Sequence, residues 1–170
     1  MGRVEWQTFP KSFAPSEIIR ETVGVFSNVH KRIDSETNTL PSDGVLAEVR
    51  PGLLEIGFEV ETGKLRSEKI TRPVLFGGGG TPERTFEADA FHAESGLVLE
   101  VEAGRGVTNY QFLKDLFQAC MMQDAEHLMI AVRNKYRVSQ DYTKVVSFFD
   151  TLYASGRLQL PLQTVTVVGY

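Results

Sequence analysis

The sequence of 170 residues is short of several features that would assign it to a common protein class. It has one cysteine, Cys120, so no disulfide can form within the chain, as is typical of proteins in a reducing compartment. No apolar run approaches the length of a bilayer span, and the N-terminal residues do not resemble a signal peptide. These absences predict a cytoplasmic protein that does not associate with membranes.

An excess of positive charge is also missing. The formal net charge is −4 at pH 7, which argues against a protein that coats nucleic acid through bulk electrostatics. A local basic patch is compatible with that total, because residues 133–137 hold three cations in five positions. This cluster either faces phosphates or forms a solvated surface patch.

Motifs for nucleophilic catalysis and nucleotide binding are missing as well. The chain has no G-x-S-x-G segment, its three histidines are dispersed, and Cys120 falls on a predicted buried helix face. The four glycines at 77–80 lack the strand-to-helix context and the Lys-Ser/Thr pair of a phosphate-binding loop. Carboxylates are therefore the candidates that remain for chemistry.

Helical periodicity of apolar residues predicts three helices, over residues 16–34, 108–123 and 139–155. Ser16 is suited to be the N-cap of the first, Thr108 and Gln111 have capping-box spacing in the second, and Gly156 closes the third. The predicted buried face of the second helix carries Phe112, Leu113, Leu116, Phe117, Cys120 and Met121.

Strand-like runs occupy residues 45–51, 53–61, 86–102, 127–133 and 163–169. Residues 35–44 read as a loop, 71–83 as a linker and 1–15 as an irregular lead-in. The order of helices and strands predicts one domain over residues 1–170. Its fold class is α/β or α+β, with a mixed central sheet flanked by helices.

Residues 86–102 form the most unusual segment, two predicted strands joined by a turn in which Gly96 supplies the required backbone geometry. Side chains alternate across a strand, so a register that pairs Ala93 with Gly96 groups the acidic residues on one face. That face has two opposed pairs of carboxylates, Asp89 with Glu100 and Glu87 with Glu102.

Opposed carboxylates need an explanation, because two of them about 5 Å apart repel by roughly 3 kcal/mol at an effective dielectric constant near 20. Such repulsion is tolerable on a solvated face, but a cleft requires a compensating cation or bound protons. The apolar character of residues 97–101 around Glu100 favours a cleft. Oxygen ligands without His or Cys suit Mg²⁺ or Mn²⁺.

An Asp on one strand, about ten residues, and then a hydrophobic-Glu-x-charged pattern before a helix resembles the PD-(D/E)xK nuclease superfamily. The matching residues are Asp89, Glu100 and Glu102. Ala88 stands in place of the motif proline, and Glu102 stands in place of the motif lysine, as in a subset of active restriction endonucleases. The resemblance implies a restriction endonuclease-like sandwich and a metal-dependent DNA endonuclease, often a homodimer.

The resemblance also implies roles for individual residues. Asp89, Glu100 and the backbone carbonyl of Val101 would hold Mg²⁺ or Mn²⁺, and Glu102 would orient or deprotonate the attacking water. Because a lysine is absent from the motif, two metal ions are expected. Further candidates are Glu87, Glu17 or Glu21, Gln111, Gln118 and Lys114 near the site, and Arg105, Arg133 and Lys135 as DNA contacts.

Two other function classes are open at this point. A nuclease-like domain without catalytic activity would bind DNA or a protein partner and retain the same carboxylates. Glycoside hydrolysis also uses paired carboxylates. The sequence gives it little support, because it has one Trp and no aromatic platform near these residues to hold a sugar.

Overall fold

A computed structural model describes residues 3–104 and 107–170. It contains four α-helices: α1 (Glu17–Ile33), α2 (Ser42–Glu55), α3 (Gln111–Met121) and α4 (Asp141–Ser155). The strands are β1 (Glu5–Phe9), β2 (Glu59–Val60), β3 (Ile70–Phe76), β4 (Pro82–Ala88), β5 (Ala90–His92), β6 (Leu97–Glu102), β7 (His127–Val132) and β8 (Thr164–Gly169). Within the described ranges, no helix is both long and apolar enough to cross a bilayer.

The central sheet has six strands in the order β1-β8-β7-β6-β5-β2. The three middle strands, β6, β7 and β8, run parallel, and the outer pairings are antiparallel. β3 and β4 form a separate two-stranded antiparallel hairpin. The prediction of an α/β fold with a mixed central sheet is confirmed at this level.

The sheet separates two apolar cores. α1 and α2 pack on one face, where they contact Leu97, Leu99 and Val101 of β6. α3 and α4 pack on the opposite face, where they contact Val98. Since side chains alternate along a strand, Glu100 and Glu102 project on the same side as Val98, toward α3.

The prediction of strands over residues 45–51 and 53–61 is wrong for most of that region, which forms α2. Valines and leucines there favour a strand by propensity, but their spacing of one, three and four positions fits one face of a helix. The buried residues of α2 are Val45, Leu46, Val49 and Leu53. Only β2, at 59–60, is extended and paired.

Two segments predicted to be irregular also form strands. Residues 5–9 of the expected lead-in pair with β8 as the edge strand β1. Most of the expected linker 71–83 lies in the β3–β4 hairpin, whose turn contains Gly79 at φ +72°. The helices predicted over 16–34 and 139–155 are confirmed, and Gly156 adopts φ +61° after α4.

Helix α3 differs from its prediction in both its start and its buried face. It begins at Gln111, and the N-cap position is Tyr110, so Thr108 and Gln111 do not form a capping box. Phe117 and Met121, predicted to be buried, are 55% and 51% exposed. The helix is rotated so that a different stripe packs on the sheet, formed by Phe112, Asp115, Leu116 and Ala119.

Candidate active site at the end of strand β6

The register of the β5–β6 hairpin is the one predicted from the sequence. Ala90 pairs with Leu99 and His92 pairs with Leu97, around a turn in which Gly96 has φ +68°. The ladder stops at Ala90, so Asp89 lies just beyond the last pair. The prediction that Glu87 lies opposite Glu102 is wrong, because Glu87 belongs to β4 and pairs with Thr71.

The chain changes direction at Asp89, and this change fixes its carboxylate. Ala88 packs in the core under α3, whereas Ala90 packs in the core under α1, although simple alternation would put both on one side. Asp89 Oδ2 accepts a hydrogen bond of 2.7 Å from the backbone N–H of Val101, and the Asp89 carbonyl accepts one of 2.8 Å from Glu61. The Asp89 side chain therefore occupies the edge of β6 that β5 vacates.

The backbone of Val101 faces the same space. In an extended strand, the N–H and C=O of one residue point in the same direction. Because the Val101 N–H donates to Asp89, the Val101 carbonyl also points toward Asp89 and away from β7. This orientation matches the role that the sequence analysis gives to that carbonyl oxygen.

A cavity of about 390 Å³ opens at this edge of the sheet. It brings together six carboxyl groups and two ammonium groups from the hairpins, β6 and α3. The carboxyl groups belong to Glu61, Glu87, Asp89, Glu100, Glu102 and Asp115, and the ammonium groups to Lys69 and Lys114. The remaining lining residues include Ser42, Val101 and Gln118.

Burial shifts the ionisation of the carboxylates at the centre of this cavity. It raises the pKa of Asp89 to about 7, although the Val101 N–H and Lys69 oppose the shift. Burial, together with the charges of Asp89 and Asp115, raises the pKa of Glu100 well above its ordinary value. The protein alone therefore does not neutralise a fully ionised cluster at neutral pH.

Asp115 is a member of this cluster that the sequence analysis missed. It is 5% exposed, and burial and the adjacent Glu102 carboxylate raise its pKa to about 8. Its Oδ2 atom is buried and has no hydrogen-bond partner among the described residues. Asp115 lies three residues after Phe112, but its burial follows only from the rotation of α3 that packs Phe112 and Leu116 on the sheet.

Lys69 was also missed. Its side chain is only 18% exposed, and its Nζ lies 2.6 Å from Glu61 Oε1 and 3.7 Å from Glu87 Oε2. The hydrogen bond to Glu61 is the largest influence that raises the Lys69 pKa, and the charge of Asp89 acts in the same direction. Lys69 precedes β3 and reaches the cavity only through the fold, so no local pattern indicates it.

The structure places only some of the residues that were predicted to assist catalysis in the carboxylate cavity. Lys114 and Gln118 line the cavity, as does Glu87. Gln111, the first residue of α3, does not line it. Glu21 lies on α1, against the opposite face of the sheet, and lines a different surface depression, so it is not part of this cluster.

The predicted DNA contacts are also in different environments. Arg133 is buried and donates a hydrogen bond of 2.6 Å to the carbonyl of Leu40, so its guanidinium faces the protein interior. Lys135 is exposed. Arg105 lies outside the described residues.

A divalent cation needs several oxygen ligands that point to one position. Within residues 3–104 and 107–170, no three His, Cys, Asp or Glu side chains are positioned to hold a metal ion together. The chemistry of the cavity nevertheless fits a hard cation: its donors are carboxylate oxygens, its negative charge is in excess, and Asp115 Oδ2 lacks a partner. We conclude that the residues fit Mg²⁺ or Mn²⁺ by type and charge.

Comparison with known proteins adds no assignment. No protein-family model matches the chain, and no curated protein matches it significantly.

The raised pKa values predict that the protein, kept free of divalent cations, becomes less stable as pH rises. Unfolded Asp and Glu release protons near pH 4, whereas folded Asp89 and Asp115 do so at about 7 and about 8. The folded state binds more protons between these limits, so the free energy of unfolding falls from about pH 4 to about pH 8, by roughly 2 kcal/mol or more. Urea unfolding in EDTA measures this change; constant or rising stability would contradict a buried carboxylate cluster.

Proposed function

We propose that the chain is a metal-dependent nuclease of the PD-(D/E)xK type that hydrolyses phosphodiester bonds of DNA. One observation carries the proposal: Asp89, Glu100 and the Val101 backbone meet at the open edge of β6, in a cavity with excess negative charge. The order of hairpin, helix and parallel strand after it supports a restriction endonuclease-like sandwich. We also propose that the protein is cytoplasmic, as its composition predicts.

The proposed metal ligands are the carboxylates of Asp89 and Glu100 and the carbonyl of Val101, with Asp115 beside them. When bound, Mg²⁺ or Mn²⁺ lowers the pKa of the attacking water and neutralises charge on the phosphate. Cation binding also compensates the repulsion that raises the pKa of Glu100. The same excess of carboxylates is consistent with the expectation of two metal ions.

Glu102 is proposed to orient the attacking water and to accept its proton. Burial raises the pKa of Glu102, which brings its basicity closer to neutral pH, where a general base is most effective. Its backbone is fixed by pairing with β7, and its carbonyl accepts a hydrogen bond of 3.2 Å from Tyr170. A glutamate at this position is thus suited to proton transfer although it cannot supply positive charge.

The positive charge that a motif lysine would supply is proposed to come from Lys69 and Lys114. Lys69 is held beside Asp89 by Glu61 and Glu87, and Lys114 projects from α3 at the rim of the cavity. Both can attract a phosphate group of the substrate into the acidic cavity. They come from different elements and line the same cavity, so both can contact one bound phosphate group.

A homodimer is proposed from the family resemblance. Phe117 and Met121 form an exposed apolar surface on α3, next to the helix residues that line the cavity. A second copy that covered them would bring two cavities close together, which suits cleavage of both strands of a duplex.

A second candidate function is a nuclease-like domain that binds DNA or a protein partner without cleaving DNA. One observation favours it: within the part of the chain that the structure describes, no three acidic side chains converge on one metal position. Calorimetric titration of Mn²⁺ separates the two functions when it is combined with a cleavage assay. Metal binding without turnover on any nucleic acid favours the second.

The proposed function predicts that DNA cleavage depends strictly on a divalent cation. The protein is incubated with supercoiled plasmid in Mg²⁺ or Mn²⁺, and a parallel reaction contains excess EDTA. Nicked and linear plasmid should form only with the metal, because water attack on the phosphate otherwise lacks charge neutralisation. Equal cleavage in EDTA would refute a metal-dependent mechanism.

A further inference from the structure

A second groove, of about 360 Å³, lies beside the carboxylate cavity. One wall is formed by Gly104, Thr108 and Asn109, which follow β6, and the other by residues 136–139, which follow β7. Because β6 and β7 are parallel, both walls stand at the same edge of the sheet as Glu102. The groove and the cavity are therefore adjacent openings on one side of the molecule.

The groove offers hydrogen-bond donors and positive charge. Its donors are the hydroxyl of Thr108, the amide of Asn109 and the guanidinium of Arg137, whereas the Ser139 hydroxyl donates to Asp141. No described residue that lines it is acidic, although the chain as a whole has a net charge of −4. This is the reverse of the carboxylate cavity and is the chemistry that an anion requires.

The exposed side chain of Arg137 is restrained by a cation–π contact with Tyr136. Its guanidinium lies 5.3 Å from the centre of the Tyr136 ring, and Arg133 lies 5.2 Å from the same ring. Tyr136 thus contacts both the buried and the exposed arginine, and it lines the groove together with Arg137. Behind the groove, Ser139 donates to Asp141, whose charge is balanced by the nearby Lys144.

The separation of the two sites suits successive phosphates of one strand. Gly104 follows Glu102 by two residues, so their Cα atoms are at most about 7 Å apart. Phosphates along one strand advance by about 3.4 Å per nucleotide along the helix axis. A strand whose scissile phosphate lies in the carboxylate cavity therefore reaches the groove within a few nucleotides.

We propose that this groove binds a backbone phosphate of the nucleic acid, a few nucleotides from the scissile bond, through Arg137, Asn109 and Thr108. The position of the bound phosphate relative to the cleaved bond rests on the proposed nuclease function. Binding itself does not. The groove therefore acts as a positioning site that holds the substrate strand against the carboxylate cavity.

The test compares an exposed arginine in the groove with an exposed arginine far from it. Binding of a short dye-labelled DNA duplex is measured by fluorescence anisotropy in EDTA, for the wild type, Arg137→Gln and the control Arg157→Gln. Arg157 is exposed beyond the far end of α4, a helix about 22 Å long, so both variants carry the same net charge. Gln also leaves the backbone requirement at Arg137, φ +56°, unchanged.

Arg137→Gln should weaken binding by about 5- to 10-fold and reduce the slope of log K against log salt by about 0.9, the value for one lost phosphate contact. Arg157→Gln should stay within about twofold of wild type. A second pair, Asn109→Asp and the exposed helix control Asn28→Asp, should show the same contrast, because only the former places a carboxylate in the groove.

The groove is refuted if the two arginine variants weaken binding equally, if neither does so, or if the wild type binds no DNA. A cleavage assay on the same proteins keeps this result separate from the proposed function. Loss of binding in Arg137→Gln supports the groove even if no variant cleaves DNA. In that case the nuclease proposal fails and the phosphate site stands.

Discussion

Replacement of Glu100 by Gln is expected to reduce metal-dependent DNA cleavage by more than about 100-fold, which is the upper range for loss of a residue that merely supports a ligand. Gln preserves the size of the side chain but removes the charge that would bind the metal ion. Glu100 is largely enclosed, next to Asp89 and Asp115. An anion from solvent therefore cannot take the place of the lost carboxylate. Initial rates of plasmid nicking in Mg²⁺ measure the effect.

The matched control is Glu94→Gln, in the turn of the same hairpin. Glu94 is exposed and does not line the carboxylate cavity, so this variant loses the same charge without touching the site. It should cleave DNA at close to the wild-type rate. Circular dichroism should show both variants folded, because neither substitution creates a void in a core. Glu100→Gln activity equal to that of Glu94→Gln would remove Glu100 from the mechanism.

The carboxylate hairpin could be predicted because it follows from local rules. Its register depends on a tight turn that contains Gly96 and on the two-residue alternation of a strand, both of which act between residues close in sequence. β7 and β8 were predictable for a similar reason, since central parallel strands are continuous apolar runs. The approach of Asp89 to Glu100 was therefore accessible without a structure.

Lys69 and Asp115 could not be predicted with the same rules, because tertiary packing places them. Lys69 enters the cavity only because the β3–β4 hairpin folds over the end of β6. Asp115 required the rotation of α3 to be known, and the sequence favoured a face that included Phe117 and Met121. Those side chains remain exposed because the helix instead directs Phe112 and Leu116 into the core.

The wrong assignments of α2 and β1 have different physical causes. The β-branched valines of α2 favour a strand by propensity, and burial against α1 and the sheet overrides that preference. β1 is an edge strand whose pairing partner, β8, lies at the other end of the sequence. No local pattern records a contact over such a distance, so a short segment before Pro10 reads as irregular.

The charge that equips this cavity for a cation should also destabilise the protein when no cation is present, and Asp89→Asn isolates this cost. At about pH 8.5 in EDTA, the variant is expected to melt about 4 to 8 °C above the wild type, as a gain of roughly 2 kcal/mol implies for this chain length. Asn removes the charge, since Asp89 has a pKa of about 7, and keeps an oxygen to accept the Val101 N–H. Lys69 retains Glu61 and Glu87 as partners.

The raised pKa also predicts how the difference in melting temperature changes with pH, and this pH dependence is a control for the experiment. A carboxyl group with a raised folded-state pKa stabilises the protein at low pH and loses that contribution as pH rises through the folded value. At about pH 4 or below, Asp89 is protonated in the folded state and largely protonated in the unfolded state, so the two melting temperatures should converge. Asp43→Asn, at an exposed ion pair with Lys64, should change the melting temperature little at either pH.

Binding of a divalent cation links the stability of the protein to its proposed function. Saturating Mn²⁺ should raise the wild-type melting temperature at about pH 8.5, because an ion that binds only the folded state stabilises it by RT ln(1 + c/Kd), where c is the free ion concentration. Asp89→Asn should lose most of that increase, since one proposed ligand is gone, and should also lose cleavage. A variant that melts below the wild type in EDTA at both pH values would show that Asp89 is a structural hydrogen-bond acceptor whose charge is already compensated, and the cavity would then have no need of a cation.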